Sequence, residues 1–492
     1  MNNSELKQKT ISSMVWNAIQ RFGTMILSFG TNIVLARLLM PEDFGCIGML
    51  AIFLSLSQVF IDGGFGAALI QKKKTTQEDY STIFYWNLFV SLFFFLILHV
   101  ASPFIADFYH MPKLCKLLRV LSIILLINGF TVVQTNILTK KLSFKMIAKI
   151  RLIAISMAMI VSIGAAYLGM GVWSLVIKDL LAATLGAAMF WGLNKWRPSF
   201  VFSRKSFKEL FSFGGLMLLS SLLNTFFENL QGLVIGRCYT AKDLGYYSQA
   251  KRLDEIPSHS LSQIVTQVSF PVFSQIADNK DLLIHAVKKN VITTTYIIFP
   301  LQAFLIAVAY PLIIFVFSEK WLEAIPYFRI LCIYSMFVSL NAINTNIYKA
   351  LGKSNYYFWV QLIKKMISVG LLFIGLNHGV LGVTWSVSIS GVIWWIFSAS
   401  INTKLIGYGI IQQIRDIYMQ FLLAIVLGTV VSCVLDYLNV LPVFQLIAAL
   451  LIFLPIYVCF SKILKLEGYK TISNEVVNKY FKNKIINKKS FQ

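Results

Sequence analysis

The chain has 492 residues, of which 57% are hydrophobic and only 13% charged. A soluble domain carries about 25% charged residues; together with a mean hydropathy of +0.71 this excludes a soluble enzyme or a disordered chain and places the protein in a bilayer. The net charge of +23 would suit a nucleic-acid binder, but the position of the charges excludes that partner too.

Apolar runs long enough for a hydrocarbon core of roughly 30 Å recur fourteen times, at about 12–35, 44–70, 82–106, 117–138, 150–168, 171–194, 209–236, 244–274, 289–317, 325–348, 357–376, 379–403, 416–438 and 441–462. Taken alternately, the connections hold 32 and 8 of the 44 Lys and Arg, with Arg21, Lys178, Lys251 and Arg252 inside spans. The rich set belongs in the cytoplasm, so both termini are expected inside and the number of spans is even. Lys72, Lys73 and Lys74, and a tail with Lys482, Lys484, Lys488 and Lys489, suit anionic lipid headgroups, making membrane lipids an expected partner. The first apolar stretch is too long for a cleaved signal peptide and carries Asn17, Gln20 and Arg21. Six cysteines lack CxxC or metal-ligand spacing. Cys46, Cys115 and Cys238 sit near outward ends, compatible with a disulfide or with small apolar filler. No metal and no cofactor is expected.

In chain order, span 1 carries Asn17, Arg21, Thr24, Ser28 and Thr31 at helical spacing, one continuous polar stripe. Span 2 holds Ser55, Gln58 and Asp62, then Gly63, Gly64 and Gly66, where a helix can bend. Spans 3 and 5 are almost wholly apolar. Span 7 repeats the stripe of span 1 with Ser221, Asn224, Glu228 and Gln231. Span 8 adds Ser248, Arg252, Glu255, His259, Ser262 and Thr266 on one face, with Lys251 and Asp254 beside it and Pro257 as a further bend point. Spans 9 and 14 are again apolar. Charges inside a span are costly and usually face a cavity or a partner, so spans 1, 2, 7 and 8 are the expected cavity wall. The same charges also suit structural ion pairs, and single Ser and Thr suit backbone-bonded packing.

An internal repeat orders these spans. Residues 33–45, IVLARLLMPEDFG, return as LVIGRCYTAKDLG at 233–245; TNI at 135–137 returns at 345–347, Arg119 as Arg329, and Trp173-Ser174 as Trp385-Ser386. Six spans separate equivalent helices, so the halves have one orientation: parallel, pseudo-symmetric six-helix lobes. The expected domains are residues 1–200 and 201–408 as lobes, 409–465 as an extra helix pair and 466–492 as a basic cytoplasmic tail. Arg37 with Asp43, and Arg237 with Asp243, are expected to fix the turns that open spans 2 and 8. Gly352-Lys353-Ser354 ends like a phosphate loop but lacks its first glycine, Ile347 standing there. No outward connection is long enough for an enzyme site. The chain therefore reads as an all-α polytopic membrane protein with fourteen transmembrane helices, a secondary transporter and not an enzyme.

LARLLMPEDFG at 35–45, DGGFGAALIQ at 62–71 and GMGVWSLV at 169–176 closely resemble the polysaccharide-transporter family, the Wzx-type O-antigen and exopolysaccharide flippases of the multidrug/oligosaccharidyl-lipid/polysaccharide superfamily. The resemblance runs from about residue 5 to 410. It implies a MATE-like, V-shaped two-lobe fold with its cavity between helices 1, 2, 7 and 8, in the bacterial inner membrane. It implies as substrate an oligosaccharide on a polyprenyl (undecaprenyl) pyrophosphate, moved to the outer leaflet for surface polysaccharide synthesis, with a polysaccharide polymerase and glycosyltransferases as partners. Arg21, Lys251 and Arg252 match the cationic residues thought to receive the pyrophosphate, whose oxygens suit the forked donors of arginine. Asn17, Thr24, Ser28, Asn224, Gln231 and His259 complete the expected substrate wall. Asp62, Glu228 and Glu255 make the wall less than plainly positive and are candidates for a coupling proton or sodium ion. A cation-driven drug antiporter of the same superfamily would use those acids instead, and a membrane polymerase or ligase is the rival from another class.

Overall fold

The computed structural model describes residues 3–438 and 440–474; most of the predicted basic tail lies outside them. Among the described residues there is no strand, and seventeen α-helices follow in order: α1 (Asn3–Leu38), α2 (Pro41–Asp62), α3 (Phe65–Gln71), α4 (Gln77–Phe108), α5 (Lys113–Leu121), α6 (Ile123–Lys140), α7 (Phe144–Tyr167), α8 (Trp173–Leu193), α9 (Arg204–Cys238), α10 (Ala241–Gln275), α11 (Lys280–Ala307), α12 (Ala309–Phe317), α13 (Ala324–Ala350), α14 (Ser354–Leu376), α15 (Gly379–Ile406), α16 (Ile410–Tyr437) and α17 (Pro442–Ile463). Span 2 is broken where Gly63 and Gly64 turn left-handed, at φ +56° and +69°, conformations that cost little without a Cβ. Span 4 is divided between α5 and α6, and span 9 between α11 and α12. Pro257 does not interrupt α10.

Among the described residues eleven helical spans are long and apolar enough to cross a membrane, and α9 makes twelve if its two segments, which meet at 52°, are taken as one. Helices α1 and α10, 36 and 35 residues long, fall short by their polarity, because they carry two of the predicted stripes. The expected count of fourteen is compatible with this.

The chain divides into two compact units, residues 1–248 and 249–492. In the first, α1 packs on α7, α7 on α8, α4 on α6, and α2 and α3 on α9. Its basic end is tied by two lysines. Lys72 bridges Asp79 and Glu209, both at 3.0 Å, while Lys140 donates to the carbonyls of Leu69 at 2.8 Å and of Lys72. Burial alone would lower the pKa of Lys72, but the hydrogen bonds it donates to Glu209 and Asp79 outweigh it and hold the ammonium above its ordinary value. Its stabilising effect is therefore kept through neutral pH and lost only as pH climbs past that raised value.

In the second unit α13 packs on α15, α11 on α16 and α13, and α14 on α15. The final pair α16–α17, which has no counterpart in the repeat, shares its core: Leu423, Leu427, Val431, Phe453 and Tyr457 lie with Phe299, Ala303 and Phe337. A buried polar network joins three helices. Gln413 Nε2 donates to Asn344 Oδ1 at 2.7 Å, Asn402 Nδ2 donates to the same oxygen at 3.0 Å, and Trp395 Nε1 donates to Gln413 Oε1 at 3.0 Å. In a lipid-facing protein such amides hold helices together where the hydrophobic effect cannot. Gln413→Ala strands the Trp395 N–H, and it should lower unfolding stability by about 1–3 kcal/mol, read as an earlier thermal transition in detergent micelles.

Candidate functional site

A cavity of about 540 Å³ opens within the first unit. Its walls come from α2 and α3 (Gln58, Asp62, Gly64, Gly66), α6 (Asn128, Thr131, Thr135, Asn136), α7 (Arg151) and α9 (Met217, Ser221). All of these lie in the half of their span that ends in a basic connection. The α2–α3 break makes the space. Gly64 sits so close to α9 that a Cβ would lie 2.2 Å from the Gly214 carbonyl oxygen, and a Cβ on Gly66 would crowd the Asn136 amide at 3.0 Å.

The polar lining is organised. Asn128 Nδ2 donates to Gln58 Oε1 at 2.7 Å, and Gln58 Nε2 donates to Asp62 Oδ1 at 3.1 Å. This chain across two helices aims the Asp62 carboxylate. Thr131 and Thr135 spend their hydroxyl protons on the carbonyls of Ile127 and Thr131, which leaves their oxygens as acceptors. Asn136 Nδ2 has no partner in the protein. Arg151 and Asp62 keep solvent access inside the cavity. A guanidinium, a carboxylate, three amides and three hydroxyls thus face one space, a set suited to binding a phosphate and sugar hydroxyls.

Of the residues expected from sequence, Asp62 lines this cavity, and so does Ser221 of the span 7 stripe. The α1 residues Asn17 and Arg21 are exposed, and Thr24 donates to the Arg21 carbonyl at 3.1 Å. Ser28, Gln231, Asn224 and Glu228 are half-buried or exposed on their helices. Lys251, Arg252, Glu255 and His259 belong to the second unit, where Lys251 Nζ lies 3.8 Å from Glu255. The acid held most tightly there is Asp254, 3% exposed, whose Oδ2 accepts from Ser335 Oγ at 2.6 Å while Oδ1 has no partner. All six cysteines are free. Among the described residues no group of three or more His, Cys, Asp or Glu could hold a metal.

The α6 wall and Arg151 were not foreseen. Arg151 falls one residue into span 5, close enough to Lys145 and Lys149 to count with a basic connection; its place inside the apolar run was the available signal. In the repeat motif, Asp43 and Asp243 do fix the turns, accepting from the Met40 and Thr240 amides, each at 3.1 Å. Arg237 does not join Asp243. Its Nη1 lies 2.7 Å from His110 Nε2, and its guanidinium stands 5.0 Å from the centre of the Phe108 ring.

Long apolar helices enclosing a polar cavity define a multi-pass membrane transporter. The same fold occurs in solved structures: a lipid II flippase, MurJ, in an inward closed conformation (TM-score 0.73, 17% identity, 92% of this chain and 99% of that one), and an inward-facing MATE multidrug resistance transporter (TM-score 0.61, 16% identity, 80% and 98%). The chain belongs to the polysaccharide biosynthesis protein family, whose model matches residues 34–326. It is similar to the teichuronic acid biosynthesis protein TuaB of Bacillus subtilis (27% identity, 86% of this chain and 89% of that protein), the succinoglycan biosynthesis transport protein ExoT of Rhizobium meliloti (27%, 81% and 82%) and the lipopolysaccharide biosynthesis protein WzxC of Escherichia coli (25%, 85% and 86%).

If the cavity holds water, a cysteine on its wall is reachable. With the six native cysteines replaced by alanine, Thr135→Cys should react rapidly with a small polar thiol reagent, whereas Ser102→Cys, at a fully buried position outside the cavity, should stay unlabelled in the folded protein.

Proposed function

We propose that this chain is a flippase that carries an oligosaccharide linked to a polyprenyl pyrophosphate from the cytoplasmic to the outer leaflet of the bacterial inner membrane, with both termini in the cytoplasm. The carrying observation is the cavity, whose lining holds Arg151 together with the Asn128–Gln58–Asp62 chain in the basic half of the helices. Pyrophosphate and sugar hydroxyls cannot enter hydrocarbon unaided, since each unpaired polar group costs several kilocalories per mole. A cavity that supplies replacement donors and acceptors removes that barrier while the polyprenyl tail stays in lipid. The forked donors of Arg151 suit the phosphate. The Asp62 carboxylate and the side chains of Asn136, Thr131 and Thr135 suit hydroxyls. Relatives named for teichuronic acid, succinoglycan and lipopolysaccharide synthesis differ in saccharide, which fits a carrier that reads a shared lipid-linked head and tolerates different sugars.

In this reading the repeats 1–200 and 201–408 are the two lobes of an alternating-access carrier. Arg21, Lys251 and Arg252 add cationic contacts along the path. Asp62, Glu228 and Glu255 are the acids available to a coupling proton or sodium ion. Glycosyltransferases supply the substrate and a polymerase consumes the product.

Loss of one charge-assisted phosphate contact is worth about 1.5–3 kcal/mol, or roughly ten- to a hundred-fold. In proteoliposomes with lipid-linked oligosaccharide, Arg151→Ala should slow transfer by that factor and Arg151→Lys by less, at normal protein level. Full-rate transfer by Arg151→Ala would remove the cavity from the path. Drug export without any transfer of lipid-linked saccharide would favour the antiporter.

A further inference from the structure

We infer that Gly45 and Gly245 are determinants of the transport cycle: they form a reciprocal backbone clasp that holds one membrane face shut, and its opening exposes the transported head group on that face. The inference rests on the flippase reading for what is transported, and on the charge distribution, which assigns this face to the exterior.

The geometry is symmetric. A Cβ on Gly45 would lie 1.7 Å from the carbonyl oxygen of Ala241, and a Cβ on Gly245 would lie 1.9 Å from the carbonyl oxygen of Pro41. Each glycine stands four residues after the residue whose carbonyl meets the other glycine, so the two copies of the repeat exchange the same contact. Distances below 3.0 Å are essentially never seen for real Cβ atoms, and the opposing atoms are backbone, so even alanine would force the segments apart by more than an ångström. Neither glycine has a positive φ; close approach alone demands glycine here.

The surroundings are built for the same contact. Asp43 and Asp243 cap the two turns and fix the carbonyls in place. Gly48 admits Leu244 and Ser248, each 3.3 Å from its would-be Cβ, and Gly236 receives Leu244 at 3.3 Å and Met49 at 2.9 Å. Leu244 is 1% exposed in this state. The contact needs glycine at both positions, and a clasp made of backbone alone can part and close without side chains to disentangle.

Two measurements test this, both in a full-length protein whose six native cysteines are replaced by alanine. In the first, Leu244→Cys reports opening to a membrane-impermeant maleimide. Gly45→Ala or Gly245→Ala should speed labelling at least about tenfold by shifting the population toward the open state. Gly30→Ala, at a glycine with nothing within 4 Å, should not. Unchanged labelling in both clasp variants would overturn the inference.

In the second, Gly48→Cys with Ser248→Cys places two thiols near the Cβ separation of about 3.5–4.5 Å that a disulfide requires. Oxidation should form the cross-link and stop transfer of lipid-linked oligosaccharide, and reduction should restore it. Failure to cross-link, or undiminished transfer by the cross-linked protein, would also overturn the clasp. If labelling responds as expected but neither redox form moves lipid-linked saccharide, the clasp stands and the flippase reading falls.

Discussion

A polar side chain inside a bilayer has no water to fall back on, and this one constraint orders most of what is seen here. The usual solution is local: Thr31, Ser57, Thr131, Thr184, Ser260 and Thr429 each donate to the carbonyl four residues earlier, which satisfies the hydroxyl without calling on another helix. The second solution is a network between helices, as with Asn344, Asn402, Gln413 and Trp395. Some residues of the α2–α3–α6–α7–α9 cavity use neither. Asn136 keeps a donor without a partner, Asp62 is aimed by a two-helix chain, and Arg151 faces open space. These groups share one cavity, and a polar cargo can supply the partners they lack.

The same constraint explains what was legible in the sequence. Long apolar runs fixed by bilayer thickness can be counted, and the repeat at 33–45 and 233–245 gives the register of the halves. Gly63 and Gly64 announce a break because only glycine turns left-handed cheaply. Stripes of period 3.6 identify which helices carry polarity, and the stripes of spans 2 and 7 do lead to Asp62 and Ser221. What a stripe cannot show is which neighbour it faces. Asn128, Thr131, Thr135 and Asn136 on α6 read as ordinary packing residues until α2, α7 and α9 are placed around them. The Arg237–Asp243 pairing failed for a related reason: Asp243 is satisfied by its own turn, which frees Arg237 for His110 and Phe108.

Division by repeat and division by contact answer different questions. The repeat begins its second copy near residue 201, yet α9 and the first turns of α10 group with the first unit because α2 and α3 pack on α9. Helices α16 and α17 carry no repeat signal but supply much of the second unit's core. An internal duplication records history; contact records where free energy is spent.

Seen in that light, the exchanged contacts at Gly45 and Gly245 carry an ancestral meaning. Two copies of a single half, related by a two-fold axis, would meet through one patch used twice, residue 41 of each against residue 45 of the other. The fused chain keeps that isologous arrangement, with Ala241 standing in for Pro41 and Leu244 for Phe44. A homodimer must change any interface residue on both sides at once. After duplication the two sides can drift separately, and Gly45 with Gly245, like Asp43 with Asp243, are among the places where they have not.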